Sequence, residues 1–413
     1  MSRVMSPAGA KGTPKPKAAA AGKAGKAGKA KGAPKRPTGA AAAAGRTTFV
    51  LLGAVVTILL VTGVVMVLSA SSVQSLKELG SSWSLFIRHL TWLTIGVVAL
   101  VVTVSVDYRR WRTLALPMLA VSAGLLVLVL VPGLGLQVNG ARSWIGVGSL
   151  TLQPSEIAKL ALILFVAELL SRRSSAMADS RLTLRPVLVV AGAIALLVML
   201  QPDLGTTMVL GALVLALLYV GGVPLMKLGA TAALGGGVAL FLALRKEYRR
   251  DRLLAFLDPG ADPESIGYQI SQSLTGVASG RLTGVGLGAS RSKWGFLPNA
   301  HTDFIFAIIG EETGLIGALV VVTLFVAFAV LGVRAALHAP DRFGTLVAAG
   351  ITAWVVSQAL VNIGGVVGLL PITGLTLPFV SFGGTSLVVT MAATGILLNI
   401  ARAGRAKAPI DLR

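Results

Sequence analysis

Long, uninterrupted apolar runs dominate this sequence and restrict the chain to one class of fold. Each run approaches the ~20 residues that a helix needs to cross the hydrocarbon core of a bilayer. Hydrophobic residues make up 54% of the chain and charged residues only 13%, whereas soluble domains carry about 25% charged residues. The sequence therefore predicts an all-α, polytopic integral membrane protein with about ten transmembrane helices. The runs lie at 48–70, 84–105, 113–131, 156–171, 186–201, 204–221, 225–244, 303–333, 345–370 and 378–401.

The N-terminal segment differs from the rest in composition. Residues 1–46 are rich in Ala, Gly, Lys and Pro and contain no Asp or Glu. Such a segment cannot bury a core, so 1–47 is predicted to be a disordered, basic cytoplasmic tail. An arm for anionic lipid or nucleic acid is the alternative; we favour the plain tail, with lipid contact as a side effect and no nucleic-acid partner. The ten-helix membrane domain would then span 48–402, and 403–413 would form a short cytoplasmic tail.

Basic residues in the connections give the spans a direction. They concentrate in alternate connections, which the positive-inside rule assigns to the cytoplasm. Both termini are then cytoplasmic, and the extracytoplasmic connections are 132–155, 201–203, 245–302 and 371–377. The large loop 245–302, between helices 7 and 8, is itself basic and departs from the rule, which weakens for loops near 60 residues.

The first external segment leads into a charged helix start. Glu156 and Lys159 are three residues apart and share one helix face. They form either an intrahelical ion pair that lets the helix enter the membrane or the charged wall of a water-filled cavity. The sequence leaves both alternatives open.

The large loop contains a candidate helix and a candidate base. Residues 266–278 are predicted to form a short amphipathic helix on the membrane surface. The loop ends at Asp303, directly before a span, where a carboxylate is a candidate general base. The alternative is that Asp303 forms the helix N-cap; Thr302 could cap the helix instead, which would free Asp303. Glu311 and Glu312, about two turns deeper, are either proton relays or partners of basic residues on neighbouring helices.

The last external turn contains helix breakers within apolar sequence. Pro371, Pro378 and the pair Gly383-Gly384 predict broken helix at membrane depth, which survives only where it is buried in protein or lines a cavity. Ordinary helix-packing glycines are the alternative. The chain has no Cys and only three His, so no metal site is predicted.

The chain resembles the SEDS family (shape, elongation, division and sporulation), typified by FtsW, RodA and SpoVE, over roughly residues 48–402. The resemblance rests on several separate motifs that occur in the same order as in the family. Gly267-Tyr268-Gln269, Gly286-Leu287-Gly288 and Ile309 to Glu312 are more similar to the division type than to the elongation type. Two positions depart from the usual pattern: Asn299 stands where members have Glu, and Arg281 stands where a second Gly is usual. The motifs are Arg142 with Trp144, Gln153 to Glu156 with Lys159, Gln201 to Gly205, Asp258-Pro259, Gly267 to Gln269 with Gln272-Ser273, Leu297-Pro298, His301 to Ala307, Gly310 to Glu312, Asn362, and Leu377 to Ser386.

The resemblance implies a peptidoglycan glycosyltransferase that polymerises lipid II at the division septum and releases undecaprenyl pyrophosphate. Asp303 would be the catalytic base. Arg142 and Lys159, with Glu156 orienting Lys159, would bind the pyrophosphate. A divalent cation, Mg²⁺ or Mn²⁺, is compatible with this chemistry, although no ligand cluster demands it. The other substrate-binding candidates are Gln269, Gln272, Ser273, His301, Thr302, Ser381, Gly383 and Gly384.

The resemblance also implies partners: lipid II, the nascent glycan strand, a class B penicillin-binding protein as transpeptidase, other division proteins and membrane lipids. Two other functions fit a polar cavity among spans, namely a lipid II flippase and a scaffold that only recruits the transpeptidase. The polar segments gather on the predicted outer face rather than along a path through the midplane. This distribution favours the enzyme.

Overall fold

The computed structural model of the chain describes residues 39–138, 141–147, 150–177, 179–245, 250, 255–256, 258 and 266–404. The chain divides into Met1–Pro37 and Thr38–Arg413, and every described residue belongs to the second unit. Most of the predicted tail 1–47 and nearly all of 403–413 lie outside the described residues. The predicted boundaries of these segments therefore stay predictions.

Most of the described residues are helical, and each of the ten predicted apolar runs coincides with one helix. An eleventh, shorter helix, α8, lies in the predicted large loop. The helices are α1 (Gly39–Leu79), α2 (Ser84–Ser105), α3 (Trp111–Leu130), α4 (Pro154–Arg172), α5 (Leu184–Leu200), α6 (Leu204–Val220), α7 (Leu225–Arg245), α8 (Ile266–Ser279), α9 (Ile305–Leu337), α10 (Arg342–Val366) and α11 (Thr385–Ala403).

Seven stretches within these helices are long and apolar enough to cross a membrane by length and composition, in α1, α2, α3, α7, α9, α10 and α11. Helices α5 and α6 are apolar but shorter, and α4 carries Glu156, Lys159, Glu168 and Arg172. A multi-pass membrane protein is therefore confirmed. The count of ten crossings stays a prediction, as does the side on which the large loop lies.

The predicted helical membrane fold is confirmed, and a small antiparallel sheet that the sequence does not predict lies between α3 and α4. Its strands are β1 (Gly135–Val138), β2 (Ala141–Val147) and β3 (Leu150–Leu152), in the order β1-β2-β3. The register shifts between Leu136 and Gln137. Asn139-Gly140, between the first two strands, is a dipeptide typical of hairpin turns. This dipeptide favours a hairpin in a segment where the apolar runs alone predict only a connection.

Helices α4 and α10 form the centre of the bundle. Helix α4 packs against α3, α6, α10 and α11, while α10 packs against α4, α6, α9 and α11. The central position of α10 buries Trp354 completely. Helix α7 is the opposite case, because it packs against α6 and none of Leu225–Leu242 is buried within the protein. Its apolar side chains are left for lipid.

Helix α9 is broken near its start, although the sequence predicts a continuous span over 303–333. Gly314 has φ 68° and ψ −169°, which only glycine adopts readily. The segment 281–286 lies against the break and hydrogen-bonds both of its sides, so the peptide groups freed by the break remain paired. The N–H groups of Val285 and Gly286 donate to the carbonyls of Glu311 and Glu312 at 3.0 and 3.1 Å, and those of Leu315 and Ile316 donate to the carbonyls of Arg281 and Leu282 at 2.8 and 3.2 Å.

Candidate functional site

Asp303 lies in the turn that leads into α9, at a small recess. The turn forms because Asn299 adopts a left-handed conformation, with φ 56°, and its carbonyl accepts the Asp303 N–H at 3.2 Å. Asp303 is half-buried. The recess is lined by the end of α10 and by residues 372–375 as well as by Asp303. Two segments that the sequence predicts to be external, the end of the large loop and the last turn, therefore meet here.

Neither Asp303 nor Thr302 caps the first turn of α9. Its N-cap residue is Phe304, with no side-chain cap hydrogen bond. The Thr302 hydroxyl instead donates to the Asn299 carbonyl at 3.1 Å. The N-cap alternative is therefore wrong for both Asp303 and Thr302.

Two amide side chains of α10 fasten this region to the core. Asn362 Nδ2 donates to the carbonyl of Asp303 at 2.7 Å and to that of Leu375 at 2.6 Å. One turn earlier, Gln358 Nε2 donates to the Thr376 carbonyl at 3.0 Å. Since Gln358 and Asn362 are four residues apart, they project from one helix face. They set the backbone position of Asp303 relative to the last external turn.

Lys159 and Glu156 form the intrahelical ion pair that was one of the two alternatives. Lys159 Nζ lies 2.8 Å from Glu156 Oε1 and 2.7 Å from Gln358 Oε1, and 4.9 Å from the centre of the Trp354 ring. The two side chains are 0% and 3% exposed, so neither lines an open surface in this structure. The pair acts on the site through Gln358, because it holds the amide that binds Thr376. A buried pair of this kind fixes geometry more than it adds stability.

Residues 371–384 are non-helical, and α11 begins at Thr385 rather than at 378 as predicted. Ser381 Oγ accepts the Leu377 N–H at 2.9 Å and so closes a turn within this segment. Gly384 has φ 49°, and a Cβ there would lie 3.3 Å from the Trp92 indole nitrogen. Gly383 and Gly384 thus precede the helix, which disagrees with the alternative of ordinary helix-packing glycines.

His301 connects the Asp303 turn to the same segment. Its carbonyl accepts the Phe382 N–H at 3.1 Å, and its ring lies 5.5 Å from the Phe382 ring. Burial lowers the pKa of His301 to about 4, although the charge of Glu78 opposes the shift. The imidazole is therefore neutral at pH 7, as suits a positioning residue.

The predicted short helix of the large loop exists as α8, but it is not isolated on a membrane surface. It packs against α9 and α10. The fully buried Ser273 hydroxyl donates to the Val366 carbonyl at 2.7 Å, which ties α8 to the end of α10. Gln269 and Gln272 are half-buried on the same helix. In this structure Ser273 therefore fixes α8 to α10 and does not face an open site.

Arg142 lies in β2, half-buried, with its aliphatic stem against Gly135. The sheet is joined to the site at the start of α11. Thr385 Oγ1 donates to the Thr151 carbonyl at 2.8 Å and accepts the Gln153 N–H at 3.3 Å. The sheet that carries Arg142 is therefore fixed to the helix that follows Gly384.

Glu311 and Glu312 bind the loop that precedes them. Glu311 accepts hydrogen bonds from the Ser290 hydroxyl at 2.5 Å and from the Arg291 and Ser292 N–H groups. Glu312 lies 3.3 Å from Lys293 Nζ and also accepts the Ser69 hydroxyl. Pairing is therefore present, but the cation comes from the loop rather than from a neighbouring helix.

Two polar residues of α10, Gln358 and Asn362, contribute to the site beyond the residues predicted from the sequence. Asn362 belongs to the motifs of the resemblance, but neither it nor Gln358 is among the predicted site residues. Two amide residues four apart within an apolar run are themselves the signal, since polar groups in a span are costly and face the bundle interior. The contact of Gln358 with Lys159 joins positions nearly 200 residues apart, which no local pattern reveals.

The described part of the chain contains no group of three His, Asp or Glu side chains placed to hold a metal ion. At the recess, Asp303 is the carboxylate among the lining residues. A single carboxylate leaves most of a Mg²⁺ coordination shell to substrate and water. The described residues at the recess therefore do not build a metal site of their own.

The fold and the recess define a polytopic helical membrane protein with a site at the end of the bundle, built from α4, α8, α9, α10 and the segment 371–384. The sequence model of the FtsW, RodA and SpoVE family, described as cell cycle proteins, matches residues 49–406. The chain belongs to this family, which confirms the resemblance found in the sequence.

Individual relatives support the assignment. Stage V sporulation protein E of Bacillus subtilis is 42% identical over 86% of this chain and 97% of its own length. A probable peptidoglycan glycosyltransferase FtsW of Mycobacterium tuberculosis is 42% identical over 86% of this chain and 68% of its own.

Solved structures agree in fold. A chain from a study of polymerization and crosslinking by a peptidoglycan synthase complex has a TM-score of 0.69 and 30% identity, covering 86% of this chain and 98% of that one. The rod shape determining protein RodA of Thermus thermophilus has a TM-score of 0.63 and 28% identity, covering 86% and 97%.

Proposed function

We propose that this protein is a peptidoglycan glycosyltransferase of the division type, which polymerises lipid II into glycan strands. The names of its FtsW relatives support the activity. The observation that carries the proposal is the placement of Asp303: a half-buried carboxylate residue at a recess, with its backbone fixed by Asn362.

The reaction is an inverting glycosyl transfer. The Asp303 carboxylate accepts the proton of the GlcNAc 4-hydroxyl of lipid II as that oxygen attacks the anomeric carbon of the MurNAc at the lipid-linked end of the strand. The new C–O bond forms as the bond from that carbon to the phosphate oxygen breaks. The electron pair leaves with undecaprenyl pyrophosphate. One base and a stabilised leaving group suffice, without a covalent carboxylate intermediate.

The leaving diphosphate requires positive charge. We assign Arg142 to this task, since it is half-buried in a strand rather than sealed in the core. Lys159, being buried, acts as a positioning residue with Glu156 and Gln358. A divalent cation bound with the substrate would add charge at the same oxygens. Gln269, Gln272, Thr302 and Ser381 remain candidates for sugar contacts or for shaping the recess.

We place both termini in the cytoplasm, the site on the extracytoplasmic face, and the protein at the division septum. The basic connections support this orientation, because Arg109 to Arg112, Arg172 to Arg185, and Arg334 to Arg342 all follow alternate spans. A transpeptidase partner is supported by the fold similarity to a chain of a peptidoglycan synthase complex. The substrate, lipid II, follows from the proposed activity.

The test is Asp303→Asn in the purified full chain, with lipid II as substrate and the polymer resolved on a gel. Loss of the base should lower the polymerisation rate about 10²- to 10⁴-fold. Asp107→Asn makes the same change at an exposed residue of the α2–α3 connection and should leave polymerisation unchanged. If the folded Asp303→Asn protein still polymerises at the wild-type rate, the base assignment is wrong. Movement of lipid II across vesicles without polymer formation would favour the flippase.

A further inference from the structure

A second cavity lies at the far end of α4, between α3 and α4. Its volume is about 410 Å³, within the ~300–1,000 Å³ of small-molecule sites. Helix α4 starts beside the Asp303 site at Pro154 and ends at Arg172, so its length of about 27 Å separates the two sites. We call this cavity the α3–α4 groove.

The mouth of the groove carries positive charge. Its charged lining residues are Arg112, Arg172, Arg173 and Glu168, three cations against one anion. Glu168 accepts hydrogen bonds from the Nε atoms of both Arg112 and Arg172, and so holds the two guanidinium groups on either side of one carboxylate. Arg112 also donates to the Ser171 hydroxyl at 2.9 Å.

These arginines retain capacity for a ligand. A guanidinium group carries five N–H donors, and the contact of Arg172 with Glu168 uses its Nε. The Arg172 side chain is 72% exposed, whereas that of Glu168 is 12% exposed. An anion that approaches the mouth therefore meets guanidinium groups before it meets the carboxylate.

The wall beneath the charged mouth is apolar. It is formed by Ala115, Leu116 and Pro117 of α3 and by Phe165 and Leu169 of α4. Leu116 is 64% exposed although it lies within an apolar span. Thr113 also lines the groove, and Pro117, four residues later on α3, has no N–H to donate to the Thr113 carbonyl. The groove thus combines a cationic mouth with an apolar wall.

We propose that the α3–α4 groove binds an anionic phospholipid, with the phosphate at Arg112, Arg172 and Arg173 and an acyl chain along Leu116, Phe165 and Leu169. Charge complementarity supports this occupant, because basic pockets between membrane helices select anionic head groups. The apolar wall supports a lipid rather than free phosphate, because free phosphate has no hydrocarbon to bury against it. The arginines lie at the ends of apolar helices, the level at which head groups lie.

The experiment measures lipid binding by the purified full chain in detergent, by native mass spectrometry. The probes are phosphatidylglycerol and phosphatidylcholine with the same acyl chains. Arg172→Gln with Arg173→Gln removes two cations of the mouth and leaves the Arg112–Glu168 pair. Arg110→Gln with Arg181→Gln removes two exposed cations at the same end of the bundle, outside the groove. Leu116→Trp narrows the apolar wall without changing charge.

Wild-type protein and the Arg110/Arg181 variant should prefer phosphatidylglycerol by about tenfold. The Arg172/Arg173 variant should lose that preference, and Leu116→Trp should weaken binding several-fold. Equal losses in both double variants, or the absence of any preference in the wild type, would overturn the proposal. Displacement of the lipid by millimolar inorganic phosphate, together with unchanged binding in Leu116→Trp, would show that the groove holds a soluble anion instead.

Discussion

Asn362 joins three parts of the site through a single amide group. Its two N–H bonds hold the carbonyls of Asp303 and Leu375, and the side chain is buried. A carboxylate that acts as a base must lie within a few tenths of an ångström of its productive position. The position of Asp303 therefore depends on a side chain that bonds its backbone rather than its carboxylate.

We predict that Asn362→Leu lowers kcat for polymerisation about ten- to hundredfold, with a smaller effect on KM, and destabilises the protein by about 1–3 kcal/mol. Asn399→Leu is the matched control, since Asn399 also bonds two backbone groups, the Tyr108 N–H at 3.1 Å and the Val104 carbonyl at 2.7 Å, at another place in the bundle. It should lose similar stability in a thermal melt but retain its kcat. Equal losses of kcat in the two variants would contradict a positioning role for Asn362.

His301 should make the stability of the protein depend on pH. Because its pKa is lowered from 6.5 to about 4 in the folded chain, the unfolded chain binds a proton between these values and the folded chain does not. Stability is then complete above pH 6.5 and falls as the pH drops towards 4, by up to about 3 kcal/mol.

The measurement for His301 is the thermal unfolding midpoint from pH 7.5 to 5. The midpoint of the wild type should fall with acid more steeply than that of His301→Gln. His338→Gln, which removes an imidazole elsewhere, is the control. Parallel pH profiles for wild type and His301→Gln would show that the buried imidazole is not responsible.

At the scale of elements, the break in α9 is the feature with the largest expected effect on stability. A Cβ at Gly314 would lie 2.4 Å from the Gly284 nitrogen and 2.5 Å from the Leu282 carbonyl, both backbone atoms that cannot move aside cheaply. Positive φ adds strain for any other residue. We predict that Gly314→Ala destabilises the protein by more than about 2 kcal/mol in chemical denaturation.

Gly211→Ala is the control for this prediction. Gly211 lies within α6, and a Cβ there meets nothing within 4 Å. Alanine is the better helix former by about 1 kcal/mol, so this change should be neutral or stabilising. A Gly314→Ala protein as stable as the wild type would show that α9 can continue through this position.

The sequence predicts the long helices well and the short irregular elements poorly, for a physical reason. An apolar run such as 84–105 has few alternatives to a helix in a bilayer, and the predicted first and last residues of α2 agree with the structure. The sheet at 135–152 and the break at Gly314 depend on neighbours instead. Gly314 resembles any other glycine of an apolar helix until the loop 281–286 is placed against it.

At the scale of the whole molecule, the burial of α4 and α10 decides what the site residues can do. The sequence correctly brings Asp303, His301 and residues 371–386 together, because it predicts that these segments leave the same membrane face and loops of one face lie near one another. It does not reveal whether Lys159 faces water or protein, since both surroundings accept a charge at a helix start. The structure places Lys159 against Trp354 and Gln358, which depends on how distant helices pack.

The pairing of residues 281–286 with the break in α9 has a consequence for biogenesis. A half-open helix cannot enter hydrocarbon alone, because each bare peptide group would cost several kcal/mol. The loop must therefore close on residues 311–316 before this part of the chain leaves the protein-lined path of the insertion machinery. We expect the segment and the helix to enter the membrane as one cotranslational unit, so ribosome-bound chains long enough to carry Ile316 clear of the ribosome should already shield the break from protease.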